Sequence, residues 1–194
     1  MKNQSITEAM LQFIEESPTA FHAAANVEAL FLENGFEKLE NLAEGALVPG
    51  GSYYTMQNGS AVLAVKIPEN PAKGFRIAAS HSDSPCFKIK EVPEMKVENT
   101  YVKLNVEKYG GMILSPWLDR PLSVAGRVFV AGKDGKPEAK LVNLKKDLLI
   151  IPNVAIHFNR EINNGFAYNP QTDMAPLMGL DQELSIKKLC AEAA

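Results

Sequence analysis

Cysteine is scarce: Cys86 and Cys190 are the only two in 194 residues. Thiols that few and that far apart support neither a disulfide framework nor a Cys-x-x-Cys zinc knuckle, so both read as reduced. No apolar run approaches the roughly 20 residues that a bilayer span requires, and the amino terminus lacks the apolar core of a secretion signal. A cytoplasmic location follows by default, with no membrane partner. Positive charge is not in excess either, because 20 Lys and Arg face 23 Asp and Glu for a formal net charge of -3. That balance offers no broad field to nucleic acid or anionic lipid. There is no GxGxxG or GxxxxGK[ST] phosphate loop, so nucleotide binding loses support. Asn58-Gly59-Ser60 matches a glycosylation sequon, but without secretion its Asn-Gly reads better as a turn.

What is present is ordinary globular material, 46% apolar and 22% charged, enough to bury a core in one domain or two small ones. Ser5 followed by Glu8 is a capping-box pattern, and Ile6, Met10, Phe13 and Ile14 then share a helical face to about Glu16. Ser17-Pro18-Thr19 breaks that helix and caps a second, which keeps its spacing through Ala20, Ala24, Val27 and Phe31 until Asn34-Gly35 ends it. Both helices are expected to pack on a sheet. Its candidate strands are Ser52 to Gln57 and Ala61 to Ile67, joined by Asn58-Gly59, and the apolar run Phe75 to Ala79, which reads as a buried strand.

From about Pro93 the texture changes to short alternating segments: Val102 to Val106, Leu122 to Val130 and Lys140 to Asn143, with Gly132-Lys133-Asp134-Gly135 as a hairpin turn. Pro68, Pro71 and Pro93 bracket the change, and a boundary near residue 92 is expected. Asp181-Gln182-Glu183-Leu184 through Ala194 has helix-forming composition without a terminal cap, as if the chain stopped inside an element.

The strongest chemical signal is Ala78-Ala79-Ser80-His81-Ser82-Asp83-Ser84-Pro85, where an apolar strand runs into a polar His-x-Asp and is broken by proline. Residues i and i+2 project to one side of an extended chain, so His81 and Asp83 can meet. A carboxylate accepting from one imidazole nitrogen leaves the other nitrogen's lone pair for a metal. From the triad alone the plainer reading is favoured, a polar strand end in which the two side chains satisfy each other. Zinc takes three or four ligands, and the other histidines are His22 and His157, neither with an HExxH or paired-glutamate motif nearby. His22 reads as a cap contact or a partly buried polar side chain. His157 lies in the apolar stretch Ile151 to Arg160 and, taken alone, reads as a satisfied core or interface histidine. Trp117-Leu118-Asp119-Arg120 reads as an aromatic beside a structural salt bridge, and Tyr109-Gly110-Gly111 as a turn.

In order and spacing these segments resemble the N-terminal part of the M18 metalloaminopeptidases, the family of aspartyl aminopeptidase. The resemblance runs through residues 17–23, Ser80-His81-Ser82-Asp83-Ser84-Pro85-Cys86, Tyr109-Gly110-Gly111, residues 117–128 and residues 151–160, and it fades in the last dozen or so residues. It implies an α/β fold: the start of a zinc-peptidase (phosphorylase/hydrolase-like) domain at 1–92, followed by a β-rich oligomerisation insert at 93–194, both incomplete. It implies a two-metal exopeptidase, normally zinc, that removes N-terminal residues, often acidic ones, from peptides and forms homo-oligomers through the insert. On this resemblance His81 matches a metal ligand and Asp83 the carboxylate that orients it. His157 matches a histidine offered to a neighbouring subunit's substrate site. Leu118 departs from the phenylalanine of a Trp-Phe-Asp-Arg version, a conservative change at a packing position. The metal-bridging aspartate, the catalytic glutamate with its adjacent ligand glutamate, and the remaining Asp and His ligands are expected beyond Ala194. The rival readings are a non-catalytic assembly module that keeps only the subunit interface, and a plain binding domain.

Overall fold

The computed structural model describes residues 5–41, 47–70, 74–181 and 183–194, so Pro71 and Gln182, singled out above, lie outside the described residues. The chain divides into two compact units, Met1–Ser84 and Pro85–Ala194.

In the first unit α1 (Ile6–Glu15) begins with the expected capping box: Glu8 N–H donates to Ser5 Oγ at 3.2 Å, and Ser5 N–H donates to the Glu8 carboxylate at 2.9 Å. Two of the four amide donors that a helix start leaves unpaired are thereby satisfied. The second helix, α2 (Ala20–Glu33), is capped by Thr19 and closes at Asn34, with Gly35 at φ 76° taking the left-handed turn that only glycine adopts freely. Next come β1 (Glu37–Lys38), β2 (Ser52–Gln57) and β3 (Ala61–Lys66), a sheet in that order with β1 parallel and β3 antiparallel to β2. Asn58 and Gly59 both have positive φ, 55° and 68°, as a tight hairpin of this hand requires.

Contacts from α2 reach this sheet through Phe31, whose ring stacks on Phe36 at 4.7 Å and tilts against Tyr54 at 5.7 Å. Ala23 and Ala24 supply the buried small surface that allows close approach. The expectation that both helices are covered fails for α1, which has no buried residue and leaves Ile6, Met10 and Ile14 exposed. Its link to α2 is polar, Asn26 Nδ2 donating to Glu16 O and Ser17 Oγ at 3.0 Å each. A second correction concerns Phe75 to Ala79. These residues form no strand, and Phe75 and Ile77 are 93% and 85% exposed. Apolarity can recommend a run as a buried strand, but a strand also needs a neighbouring ladder for its N–H and C=O groups, and none of the described residues supplies one.

The second unit holds β4 (Cys86–Val97), β5 (Tyr101–Tyr109), β6 (Ala125–Ala131), β7 (Pro137–Asn143), β8 (Leu177–Gly179) and α3 (Ile186–Ala193). Sheet β4-β5-β8 and hairpin β6-β7 are antiparallel throughout. Pro93 does not mark a break between domains. It sits buried inside β4, where the register to β5 shifts between Ile89 and Glu94. Such a bulge leaves a residue out of the ladder, so proline's missing N–H costs nothing there. The division between units therefore falls at Ser84 and Pro85 rather than near residue 92. Leu104, Val106, Val124, Leu149 and Ile186 form the core, with Phe87, Leu122, Met178 and Leu189 packed around it. Ser185 caps α3, and Glu94 Oε1 also accepts from Ile186 N–H at 2.8 Å.

Candidate functional site

The first unit carries the His81 site on an irregular segment rather than at the exit of a strand, because residues 75–85 pair with no ladder. The His-x-Asp geometry forms nonetheless: His81 Nδ1 lies 2.9 Å from Asp83 O and 3.0 Å from Asp83 Oδ1. Between them Ser82 Oγ donates to Ser60 O at 2.8 Å, tying the segment to the turn at the end of the β2-β3 hairpin. Side chains alternate along extended backbone, so an anchor at 82 leaves 81 and 83 to share the other side. An Nδ1–H donated to the carboxylate makes Nε2 the lone-pair nitrogen. The His81 side chain is 82% exposed and that of Asp83 44%, so Nε2 can be reached.

His22 is the cap contact expected of it. Its Nδ1 lies 2.8 Å from Thr19 Oγ1, and burial pushes its pKa below the ordinary histidine value. Cys86 and Cys190 are not in a disulfide, and burial pushes the Cys190 thiol up. Gly110, at φ 78°, turns the chain after β5 as Tyr109-Gly110-Gly111 predicts. Among the described residues no group of three or more His, Cys, Asp or Glu could hold a metal ion, and no helix is long and apolar enough to cross a membrane.

The second unit carries His157 on an exposed turn closed by Phe158 N–H to Ala155 O at 2.8 Å. The apolar stretch around it is not core. Ile151 is 0% exposed, but Val154, Ile156 and Phe158 are exposed, because the chain leaves the core at Pro152. Trp117 packs edge-on against Phe87 at 5.1 Å. The expected Asp119 to Arg120 ion pair does not form. Asp119 instead donates its N–H to Ile151 O at 2.9 Å and accepts the Asn153 N–H on Oδ1 at 2.8 Å. Adjacent residues in a turn point apart, and a backbone amide two residues past Ile151 lies within reach where the guanidinium does not. Composition gave no sign of this clip. The Pro152-Asn153 pair, an N–H following a residue without one, was the available signal.

Comparison with known proteins places these features in a family. The chain is 46% identical over 184 residues to the probable M18 family aminopeptidase 2 of Clostridium acetobutylicum, a match that covers 93% of this chain and 42% of that protein. Among solved structures, a chain of the Ape4 and Nbr1 complex determined by cryo-EM aligns with TM-score 0.82 and 38% identity, over 90% of this chain and 34% of that one. Chaetomium thermophilum mApe1 aligns with TM-score 0.78 and 33% identity, over 91% and 40%. The chain thus spans about 42% of the length of the curated relative it matches, and its mixed helices and strands are a partial α/β domain. The family model described as Aminopeptidase I zinc metalloprotease (M18) matches residues 13–192, nearly the whole chain, and the chain belongs to that family.

Proposed function

We propose that this chain is the segment of an M18-type aminopeptidase that contributes one metal ligand, His81, and one substrate-side histidine, His157. The observation that carries the reading is the His81 and Asp83 pair, with Nδ1 engaged at 3.0 Å by the carboxylate and the His81 side chain 82% exposed. Asp83 would hold the imidazole in one orientation and one tautomer, which raises the basicity of the nitrogen turned to the metal. His81 fits zinc as one nitrogen donor of the three or four that the ion takes. The described residues supply no complete donor group, so His81 would share the ion with ligands from elsewhere. When bound, zinc in a two-metal site supplies an activated water and polarises the scissile carbonyl.

On this reading the first unit, Met1–Ser84, contributes to the peptidase domain and the second, Pro85–Ala194, is a β-rich insert through which subunits assemble. The substrate is a peptide with a free amino terminus, with acidic first residues preferred. His157 reaches a neighbouring subunit's substrate. A second reading, an assembly module without catalysis, is favoured by the exposed Phe129 and Leu141 of the β6-β7 hairpin.

Assay of the purified chain with aspartyl and glutamyl chromogenic substrates, in excess zinc, manganese or cobalt, is expected to give no turnover. Turnover that His81→Ala abolishes would overturn the view that the site is incomplete. Residues 1–194 grafted in place of the matching segment of a full-length relative are expected to give metal-dependent release of N-terminal residues, lost on His81→Ala. Activity that survives His81→Ala would remove the ligand assignment.

A further inference from the structure

We propose that Asp119 is a positioning residue for the loop that carries His157. The inference rests on the substrate-side role given to His157 above. Up to Ile151 the chain is locked: Ile150 and Leu177 exchange backbone hydrogen bonds at 3.1 and 2.7 Å, and Leu122 N–H donates to Leu149 O at 2.8 Å. Ile151 is fully buried. Pro152 follows and has no N–H, so the first donor available beyond the core is that of Asn153. Asp119 takes both groups that flank the proline, the Ile151 carbonyl through its own N–H and the Asn153 N–H through Oδ1.

Beyond the clip, no hydrogen bond among the described residues ties the loop back to the core before residue 171. Among the described residues, the hydrogen bonds of residues 154–164 stay inside segment 153–164: Val154 N–H to Asn153 Oδ1, Phe158 N–H to Ala155 O, Ile162 N–H to Asn159 O, and Asn164 to Glu161. The chain is next tied to the sheet by Gln171 Nε2 donating to Val106 O at 3.3 Å. The direction in which residues 153–158 leave the core is therefore set at the root, and His157 inherits any rotation there. Asp119 itself sits at φ 55°, a left-handed conformation that Asp and Asn tolerate better than most residues. Asparagine at 119 keeps both the conformation and an acceptor oxygen, whereas alanine loses the acceptor.

Amide hydrogen exchange on this chain, read residue by residue, tests the clip. Asp119→Ala is expected to speed exchange at Asn153 by about tenfold or more, while Asp119→Asn stays near the parent rate and Ile150 stays protected in both. An unchanged Asn153 in Asp119→Ala, or an Ile150 that accelerates in step with it, overturns the inference. His157→Ala leaves the Asn153 rate as in the parent, so failure of the His157 reading shows in turnover alone and failure of the clip shows in exchange. In the grafted full-length enzyme, Asp119→Ala is expected to lower kcat by roughly 10–100-fold with metal content unchanged, and Asp119→Asn to retain it. An undiminished kcat in an Asp119→Ala enzyme whose Asn153 amide exchanges fast would leave the clip as a structural feature without a positioning role.

Discussion

The Tyr54 hydroxyl donates to Glu28 Oε1 at 3.0 Å, and Lys38 Nζ reaches the same oxygen at the same distance. One carboxylate on α2 thus gathers a phenol from β2 and an ammonium from β1. Burial raises the Tyr54 pKa first, with Glu28 adding to it, and the hydrogen bond to Glu28 is the main cause of the raised Lys38 pKa. Both groups lie higher in the folded chain than in the unfolded one. Their contribution is therefore complete below the unfolded values, near 10, and is lost as pH rises through the folded ones.

Stability of the first unit should accordingly fall above about pH 10, more steeply than composition alone would give. Tyr54→Phe should lower the denaturation midpoint at neutral pH and flatten the alkaline decline. Urea midpoints at pH 7, 9 and 10.5 check it. Parallel curves for parent and variant would show that Tyr54 takes no part in the pH dependence.

Asp83→Asn in the grafted full-length enzyme should weaken zinc binding roughly 10–100-fold, because the amide no longer holds the His81 ring as a charged acceptor does. Competition against a fluorescent chelator gives the affinity directly. An unchanged value would return His81 and Asp83 to a polar pair that merely satisfies itself.

Self-association of the chain is expected from its second unit, where, among the described residues, two antiparallel sheets have one α-helix, α3, to cover them. Phe129 and Leu141 on the β6-β7 hairpin remain exposed, and uncovered apolar strands favour a partner. Multi-angle light scattering at micromolar concentration should report a dimer or larger. A folded monomer would count against an assembly role for the second unit.

Mixed subunits test the role of His157. Grafted full-length enzymes carrying His81→Ala and His157→Ala should each be inactive, and co-assembly should restore activity by pairing intact metal ligands of one subunit with the intact His157 of the other. If His157 stabilises charge developing on the scissile carbonyl oxygen, its loss costs roughly 10²–10³ in turnover with metal content intact. Mixed oligomers that form and stay inactive would confine His157 to its own subunit.

Much of the local structure was legible because its causes are local. The capping box at Ser5 and Glu8, the Thr19 cap, the Gly35 stop and the Asn58-Gly59 hairpin each depend on residues within about five positions of one another. The His81 contact to Asp83 belongs with them, since a separation of two residues is fixed by extended backbone. The covered face of a helix is a different matter. Ile6, Met10 and Ile14 are spaced correctly, but spacing says that a face is apolar and not what lies against it.

By itself, then, the sequence determined where the chain turns, which segments coil, and which histidine has a carboxylate beside it, all set by short-range sterics and hydrogen bonding. Tertiary structure alone decided that Phe75 to Ala79 runs exposed and unpaired, that Pro93 lies buried in a bulge of β4 rather than at a boundary, and that Asp119 holds Asn153, 34 residues away, instead of Arg120 beside it. Each of those outcomes depends on which backbone groups from distant parts of the chain come within about 3 Å, and neither pattern nor propensity carries that register.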